Sequence, residues 1–103
     1  DTAPTALELA VMALAGCITT MFAMIARGKK LSFEDLEVIV EAEKSPRDHT
    51  VTSGRIRGIV TSREPEKKIR RIWEDTLKIC PVGVLFHKAA VRFEHELEIR
   101  RPD

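Results

Sequence analysis

The longest feature of the hydrophobic pattern is an unbroken apolar run at residues 9–26, LAVMALAGCITTMFAMIA, which contains no charged residue. Pro4 precedes this run and Gly28 follows it, and these residue types suit the first turn and the end of a helix, respectively. The run therefore predicts a helix over about residues 5–27. Because this helix is apolar on every side, we expect it to be covered on every side.

Alternating apolar and charged positions predict three strands after this helix. Residues 36–43, 55–60 and 91–100 each place apolar side chains at nearly every second position. The outward positions of the first strand are mainly glutamate and those of the second are Arg55 and Arg57, so the two rows should pair if the strands are neighbours. The third strand, VRFEHELEIR, alternates most clearly and places His95 on the apolar side.

A second, amphipathic helix is predicted between the second and third strands. Pro65 suits its first turn, and apolar residues recur at helical spacing from Ile69 to Cys80. Pro81 disfavours helical geometry at Cys80, so this helix should end there and a short turn should follow. The order helix, strand, strand, helix, strand indicates an α+β domain in which the long apolar helix packs on an antiparallel sheet. Three strands are a small cover for such a helix, so we expect a dimer, further N-terminal strands, or both.

Length and composition predict one soluble domain spanning residues 1–103. Charged residues make up 32% of the chain, but 17 Lys and Arg nearly balance 16 Asp and Glu. No strong net field therefore favours nucleic acid or an anionic membrane. The apolar run is long enough to span a membrane, although its many small residues add little transfer free energy. We expect no membrane and no nucleic-acid partner, and a membrane-anchored helix stays as an alternative that predicts a need for detergent.

Two cysteines are the candidate reactive groups. They are too few for a secreted disulfide scaffold and too far apart for a zinc site, so we expect no metal and no cofactor. Cys17, inside the apolar helix, is by itself typical of an inert buried thiol. Cys80 lies where a helix ends, and nearby backbone N–H groups could stabilise its thiolate. His95 is expected to be a buried, hydrogen-bonded core histidine.

Taken together, four segments resemble the OsmC/Ohr family, the osmotically induced and organic hydroperoxide resistance proteins. These segments are LAVMALAGC in the apolar helix, DLEVIVEAE in the first strand, KICPVG at the end of the second helix and VRFEHELEI in the last strand. The pairing of an AGC helix with a later CPV turn carries the resemblance. It implies an intertwined homodimer in which two long central helices are enclosed by two sheets.

The resemblance also implies a chemistry. Cys17 would be the peroxidatic thiolate that attacks the O–O bond of an organic hydroperoxide, and Cys80 would resolve the sulfenic acid as a disulfide that a dithiol then reduces. The family's peroxidases also use an arginine from an N-terminal strand, which has no counterpart here. They place a glutamate ten residues before the peroxidatic cysteine, where this chain has Leu7, with Glu8 one place later. If both residues lay in one α-helix, their nine-residue separation would place Glu8 and Cys17 on opposite sides of it. Glu8 could therefore serve only if the helix begins after it.

Two functional hypotheses follow. The first is a cytoplasmic, homodimeric thiol peroxidase that reduces organic hydroperoxides through Cys17 and Cys80, with electrons from a dithiol. The second is a non-catalytic dimeric domain of the same fold that binds a small apolar ligand or a protein partner, favoured by the departures at the arginine and glutamate positions. In both cases we expect the domain to lack the family's N-terminal strands.

Overall fold

The computed structural model describes residues 5–103, so Pro4 lies outside the described residues. In chain order the elements are α1 (Ala6–Gly28), β1 (Asp35–Ser45), β2 (Thr50–Thr61), α2 (Glu66–Ile79), α3 (Pro81–Lys88) and β3 (Arg92–Arg100). The order of the five predicted elements is confirmed, and the turn expected after Cys80 is a helix of eight residues, α3. Strand β2 begins earlier than predicted, at Thr50, and a shift of register in its pairing with β1 leaves Val51 buried.

Helix α1 begins with a capping box. Thr5 Oγ1 accepts a hydrogen bond from the Glu8 N–H at 3.1 Å, and Glu8 Oε1 accepts one from the Thr5 N–H at 2.8 Å. These bonds satisfy two backbone donors that a helix start otherwise leaves unpaired. One face of the helix is fully buried, through Leu14, Ile18, Phe22 and Ala26.

The opposite face of α1 is uncovered within one chain. Met12 is 58% exposed and Met24 is 61% exposed. Within residues 5–103, α1 is the one helix long and apolar enough to cross a membrane, and only 22% of that stretch is buried inside the chain. The expected cover is therefore present on one side of the helix, and the other side leaves an apolar surface for a further partner.

The three strands form one sheet in the order β1-β2-β3. Strands β1 and β2 pair antiparallel, as predicted, with a shift of register between Glu43 and Lys44. Strands β2 and β3 are parallel, so the prediction of a fully antiparallel sheet is wrong for this pair. The reason lies in the connection, because α2 and α3 carry the chain back to the end of the sheet at which β2 began.

The outer face of the sheet is charged. Arg55 lies opposite Glu41 of β1, as the predicted pairing of the two rows requires. Arg57 instead forms its ion pairs with β3, at 3.8 Å to Glu96 and more closely to Glu98. These pairs are partly exposed, so solvent screens them and they contribute little to stability.

The inner face of the sheet, α1 and α2 share one core. Trp73 of α2 is 2% exposed and lies on Gly58 of β2, where an added Cβ would be 2.5 Å from the indole ring. The same indole lies 6.5 Å from the ring of Phe22 of α1. Because Trp73 packs on both partners, it positions α2, and hence Cys80 at its end, relative to α1.

His95 lies on the predicted face of β3 but is exposed, so the prediction of a core histidine is wrong. Its register partner in β2 is Ile56, which is buried. Strand β3 is at the edge of the three-stranded sheet, and His95 borders a cleft there. Burial at this position depends on the neighbouring elements and not on the alternation alone.

Candidate active site

Cys17 lies at the edge of the buried stripe of α1. It is half-buried, whereas Leu14 and Ile18 on either side of it are 1% and 0% exposed. An α-helix turns by about 100° per residue, so Cys17 points away from Ile18 and towards the uncovered face. Gly16 beside it has open space where a side chain would project. Cys17 therefore lies between the core and the surface that one chain leaves uncovered.

Cys80 lies at the junction of α2 and α3 and is fully buried. Its N–H donates to the Thr76 carbonyl at 3.0 Å, which completes the last turn of α2. Pro81 excludes helical geometry at the residue before it, and Cys80 is accordingly extended, with φ −59° and ψ 116°. The N–H groups of Val82 and Gly83, in the first turn of α3, donate to the Cys80 sulfur.

The two cysteines meet in one place, although they are far apart in the chain. Burial raises the pKa of the Cys80 thiol to about 11. Its hydrogen bond to the Cys17 sulfur and the negative charge of an ionised Cys17 also raise this pKa, against the lowering effect of the N–H groups of Gly83 and Val82. Cys80 therefore keeps its proton at neutral pH.

This arrangement suits thiol chemistry. Both cysteines are free thiols, and Cys17 lies close enough to Cys80 to raise the pKa of its thiol. Within residues 5–103, no cationic side chain is among the groups that shift the pKa of Cys80, and no cluster of three potential metal ligands occurs.

A cleft of about 160 Å³ adjoins Cys80, and we call it the histidine cleft. Its walls are mainly apolar and come from all three helices and from β2 and β3, and its polar side chains are Cys80, His87 and His95. The sequence analysis did not anticipate this cleft. The sequence feature that could have indicated the cleft is the spacing of Cys80, Gly83 and His87, which aligns the residue before α3 with two residues on one face of that helix.

The family model of OsmC-like proteins matches residues 1–96 of the chain. The chain belongs to the OsmC-like family. The recognition based on the four sequence segments is therefore confirmed. No curated protein matches this OsmC-like chain.

Solved structures of OsmC-like proteins share the fold. An OsmC-like protein from Mycoplasma pneumoniae is 16% identical, with a TM-score of 0.88 over 97% of this chain and 74% of that one. The organic hydroperoxide resistance protein OsmC of Legionella pneumophila is 14% identical, with a TM-score of 0.73 over 97% of this chain and 72% of that one. OhrB of Bacillus subtilis, an organic hydroperoxide resistance protein, is 15% identical, with a TM-score of 0.64 over 97% and 73%. At these identities the likeness confirms the α+β fold with a long helix packed on the sheet.

Glu8 of this OsmC-like protein lies in the first turn of α1, and the helix begins before it, at Ala6. The condition under which Glu8 could serve Cys17 is therefore not met. Nine residues place the two side chains on opposite sides of the helix and about 13 Å apart along its axis. Hydrogen bonds from the N–H and the hydroxyl of Thr5 hold the pKa of the Glu8 carboxyl below its usual value. The structure uses Glu8 to cap α1.

Proposed function

We propose that this OsmC-like protein is a thiol peroxidase that reduces organic hydroperoxides through Cys17 and Cys80, with electrons from a dithiol. The observation that carries the proposal is the proximity of the two thiols, which the fold brings together from α1 and from the α2–α3 junction. The names of the Legionella pneumophila and Bacillus subtilis relatives refer to organic hydroperoxide resistance, which supports the choice of substrate class.

In the first step the Cys17 thiolate attacks the terminal oxygen of the hydroperoxide R–O–O–H. The O–O bond breaks, Cys17 becomes a sulfenic acid, and the alkoxide takes up a proton and leaves as the alcohol.

In the second step the Cys80 sulfur attacks the Cys17 sulfur. A disulfide forms, and the hydroxyl group of the sulfenic acid leaves as water with the proton of Cys80. Two causes of the raised pKa of Cys80, its hydrogen bond to an ionised Cys17 and the repulsion by that charge, are lost when Cys17 becomes a neutral sulfenic acid. Cys80 therefore ionises more readily at the step in which it is the nucleophile. A dithiol then reduces the disulfide.

The test is consumption of cumene hydroperoxide with dithiothreitol by the wild type, Cys17→Ser and Cys80→Ser. We expect Cys17→Ser to be inactive. The steady-state rate of Cys80→Ser should be at least about tenfold lower than that of the wild type, a difference of about 1.4 kcal/mol in activation free energy. Its Cys17 should still form a sulfenic acid that dimedone traps. Circular dichroism checks that each variant is folded. Equal rates in all three proteins would end the proposal.

The proposal includes a homodimer in which a second copy of α1 covers the uncovered face of the first. Leu9, Met12 and Met24 are each more than half exposed on this face, and Gly16 between them lets another helix approach closely. Cys17 lies at the border of the same face, so a second copy would also shield the thiolate from water. Free thiols that cycle with a dithiol suit a reducing compartment, and we therefore place the dimer in the cytoplasm.

Gly16→Leu separates a dimer from a monomer. Within one chain no atom lies within 4 Å of the position of the added Cβ. In a monomer the change should stabilise α1 by up to about 1 kcal/mol, because glycine is a poor helix former. In a dimer it should weaken association, measured by sedimentation at several concentrations. Gly28→Leu is the matched control, since Gly28 also faces open space but lies at the helix end. A wild type that sediments as a monomer contradicts the proposed assembly.

A second candidate is a non-catalytic dimeric domain that binds a small apolar ligand. It is favoured because no cationic side chain within residues 5–103 contributes at the cysteine pair and because Glu8 is engaged at the cap. The rate of Cys17 alkylation against pH separates the two candidates. A rate that rises only near the ordinary thiol pKa of about 8.5 favours the binding domain, whereas a plateau reached at lower pH favours the peroxidase.

A further inference from the structure

The two sulfurs of the pair differ in what surrounds them. Cys80 is hydrogen-bonded to Cys17 and also lines the histidine cleft, whereas Cys17 does not line it. Residue 83 lies between the Cys80 sulfur and the cleft, and because it is glycine it has no side chain to separate them. A Cβ there would lie 3.7 Å from Cys80 Sγ and 3.8 Å from Leu14 Cδ1. Of the two sulfurs, Cys80 is the one that a molecule in this cleft would meet.

The cleft ends against Cys80 and does not expose it, since Cys80 is 0% exposed in the reduced protein. Helix α3 forms the cover at this point, and none of its side chains is fully buried. In the first turn of α3, Val82 packs against the core but is only partly buried, so a small outward movement of this turn gives up few buried apolar contacts. Such a movement would connect the Cys80 sulfur to the cleft.

We propose that the dithiol reductant enters through the histidine cleft and attacks the Cys80 sulfur of the oxidised pair. This inference rests on the proposed peroxidase function and adds the place at which the second substrate acts. A volume of about 160 Å³ corresponds to roughly five water molecules. The cleft therefore has room for the thiol end of a small dithiol, and its apolar walls suit the adjoining methylene groups.

The electrons and atoms balance as a pair of thiol–disulfide exchanges. A thiolate of the dithiol attacks Cys80 Sγ, the bond between the two cysteines breaks, and Cys17 leaves as a thiolate. The second thiol of the reductant then attacks the reductant sulfur in this mixed disulfide, and Cys80 leaves. The dithiol is oxidised to a disulfide, and its two protons end on Cys17 and Cys80. His87 and His95, both exposed at the cleft, are the lining groups that can take up the proton of the attacking thiol.

The direction of attack agrees with the environment of Cys80. The alternative, attack on Cys17, would expel Cys80 as the leaving group. Burial makes Cys80 a poor leaving group, because desolvation raises the pKa of its thiol and exchange is slower when the departing thiol is more basic. When the reductant attacks Cys80 from the cleft, Cys17 is the first thiol to leave. Cys80 leaves only when the second thiol of the reductant forms the reductant's own disulfide.

Two variants fill the cleft from opposite walls, and each has a matched control. His95→Trp enlarges a lining side chain of β3, and Glu94→Trp places the same ring one residue earlier, on the outer face of the sheet. Gly83→Leu fills the space beside the Cys80 sulfur, and Val84→Leu enlarges an exposed residue of α3 that does not line the cleft. The disulfide is first formed with diamide in each protein. Its reduction by dithiothreitol is then followed by alkylation and mass spectrometry, in buffer and in guanidinium chloride.

We expect both filled variants to be reduced at least about tenfold more slowly than their controls in buffer, and at equal rates when unfolded. Disulfide formation by cumene hydroperoxide should be unaffected in His95→Trp. Reduction of both filled variants at the control rates would overturn the inference while leaving the peroxidase proposal intact. Equal slowing of oxidation and reduction would also overturn it, because the cleft would then serve the hydroperoxide. A wild type in which diamide forms no disulfide would refute the two-cysteine cycle itself.

Discussion

Replacing Cys80 with alanine should remove a pH dependence of stability that the wild type has between about pH 9 and pH 11. In the unfolded chain the Cys80 thiol ionises near its ordinary pKa of 9.0, whereas burial in the native protein raises this pKa to about 11. Between these values the unfolded state has lost a proton that the native state keeps, so raising the pH favours unfolding. Two pKa units correspond to about 3 kcal/mol, fully present below pH 9 and lost by about pH 11.

The assay is urea unfolding with a phosphine reductant, at a fixed protein concentration, at several pH values from 7 to 11 for the wild type and Cys80→Ala. The chain has no tyrosine, and the lysines are common to both proteins. The difference between the two unfolding free energies therefore reports Cys80 together with its interaction with Cys17. We expect this difference to be constant up to about pH 8.5 and then to shrink by about 3 kcal/mol. A difference that does not change with pH would show that Cys80 is not a buried, protonated thiol.

Three further predictions concern packing, the helix cap and the role of Glu8. Gly58→Ala should destabilise the protein by about 1–3 kcal/mol in urea unfolding, because the added Cβ would be 2.5 Å from the Trp73 ring, and an unchanged midpoint would contradict this packing. Thr5→Ala should cost about 1 kcal/mol through loss of the cap, and a variant as stable as the wild type would count against the capping box. Glu8→Gln should leave the rate of hydroperoxide consumption unchanged, since the side chain lies at the helix start, and a large loss of rate would reinstate Glu8 as a catalytic candidate.

The elements that could be predicted are those whose signal is local. The alternation at Leu36, Val38 and Val40 predicts β1 with its inward face, and Pro65 marks the start of α2. Helix α3 was expected only as a turn, because a segment of eight residues that contains Gly83 has little helical signal of its own.

Features set by contacts between distant segments could not be predicted in this way. The parallel direction of β3 depends on the path of α2 and α3, and the exposure of His95 depends on its position in an edge strand. The meeting of Cys17 and Cys80 was expected only from the resemblance to the family, since no periodicity relates a residue of α1 to one at the end of α2. Tertiary packing around Trp73 brings the two together.

The most direct test of the proposed activity is to treat the reduced protein with an equimolar amount of cumene hydroperoxide and digest it without a reductant. The two-cysteine cycle predicts one linked pair of peptides that contains Cys17 and Cys80 of the same protomer, two hydrogens lighter than the separate thiols, with the hydroperoxide converted to its alcohol. Recovery of both cysteines as free thiols with the hydroperoxide unconsumed would contradict it.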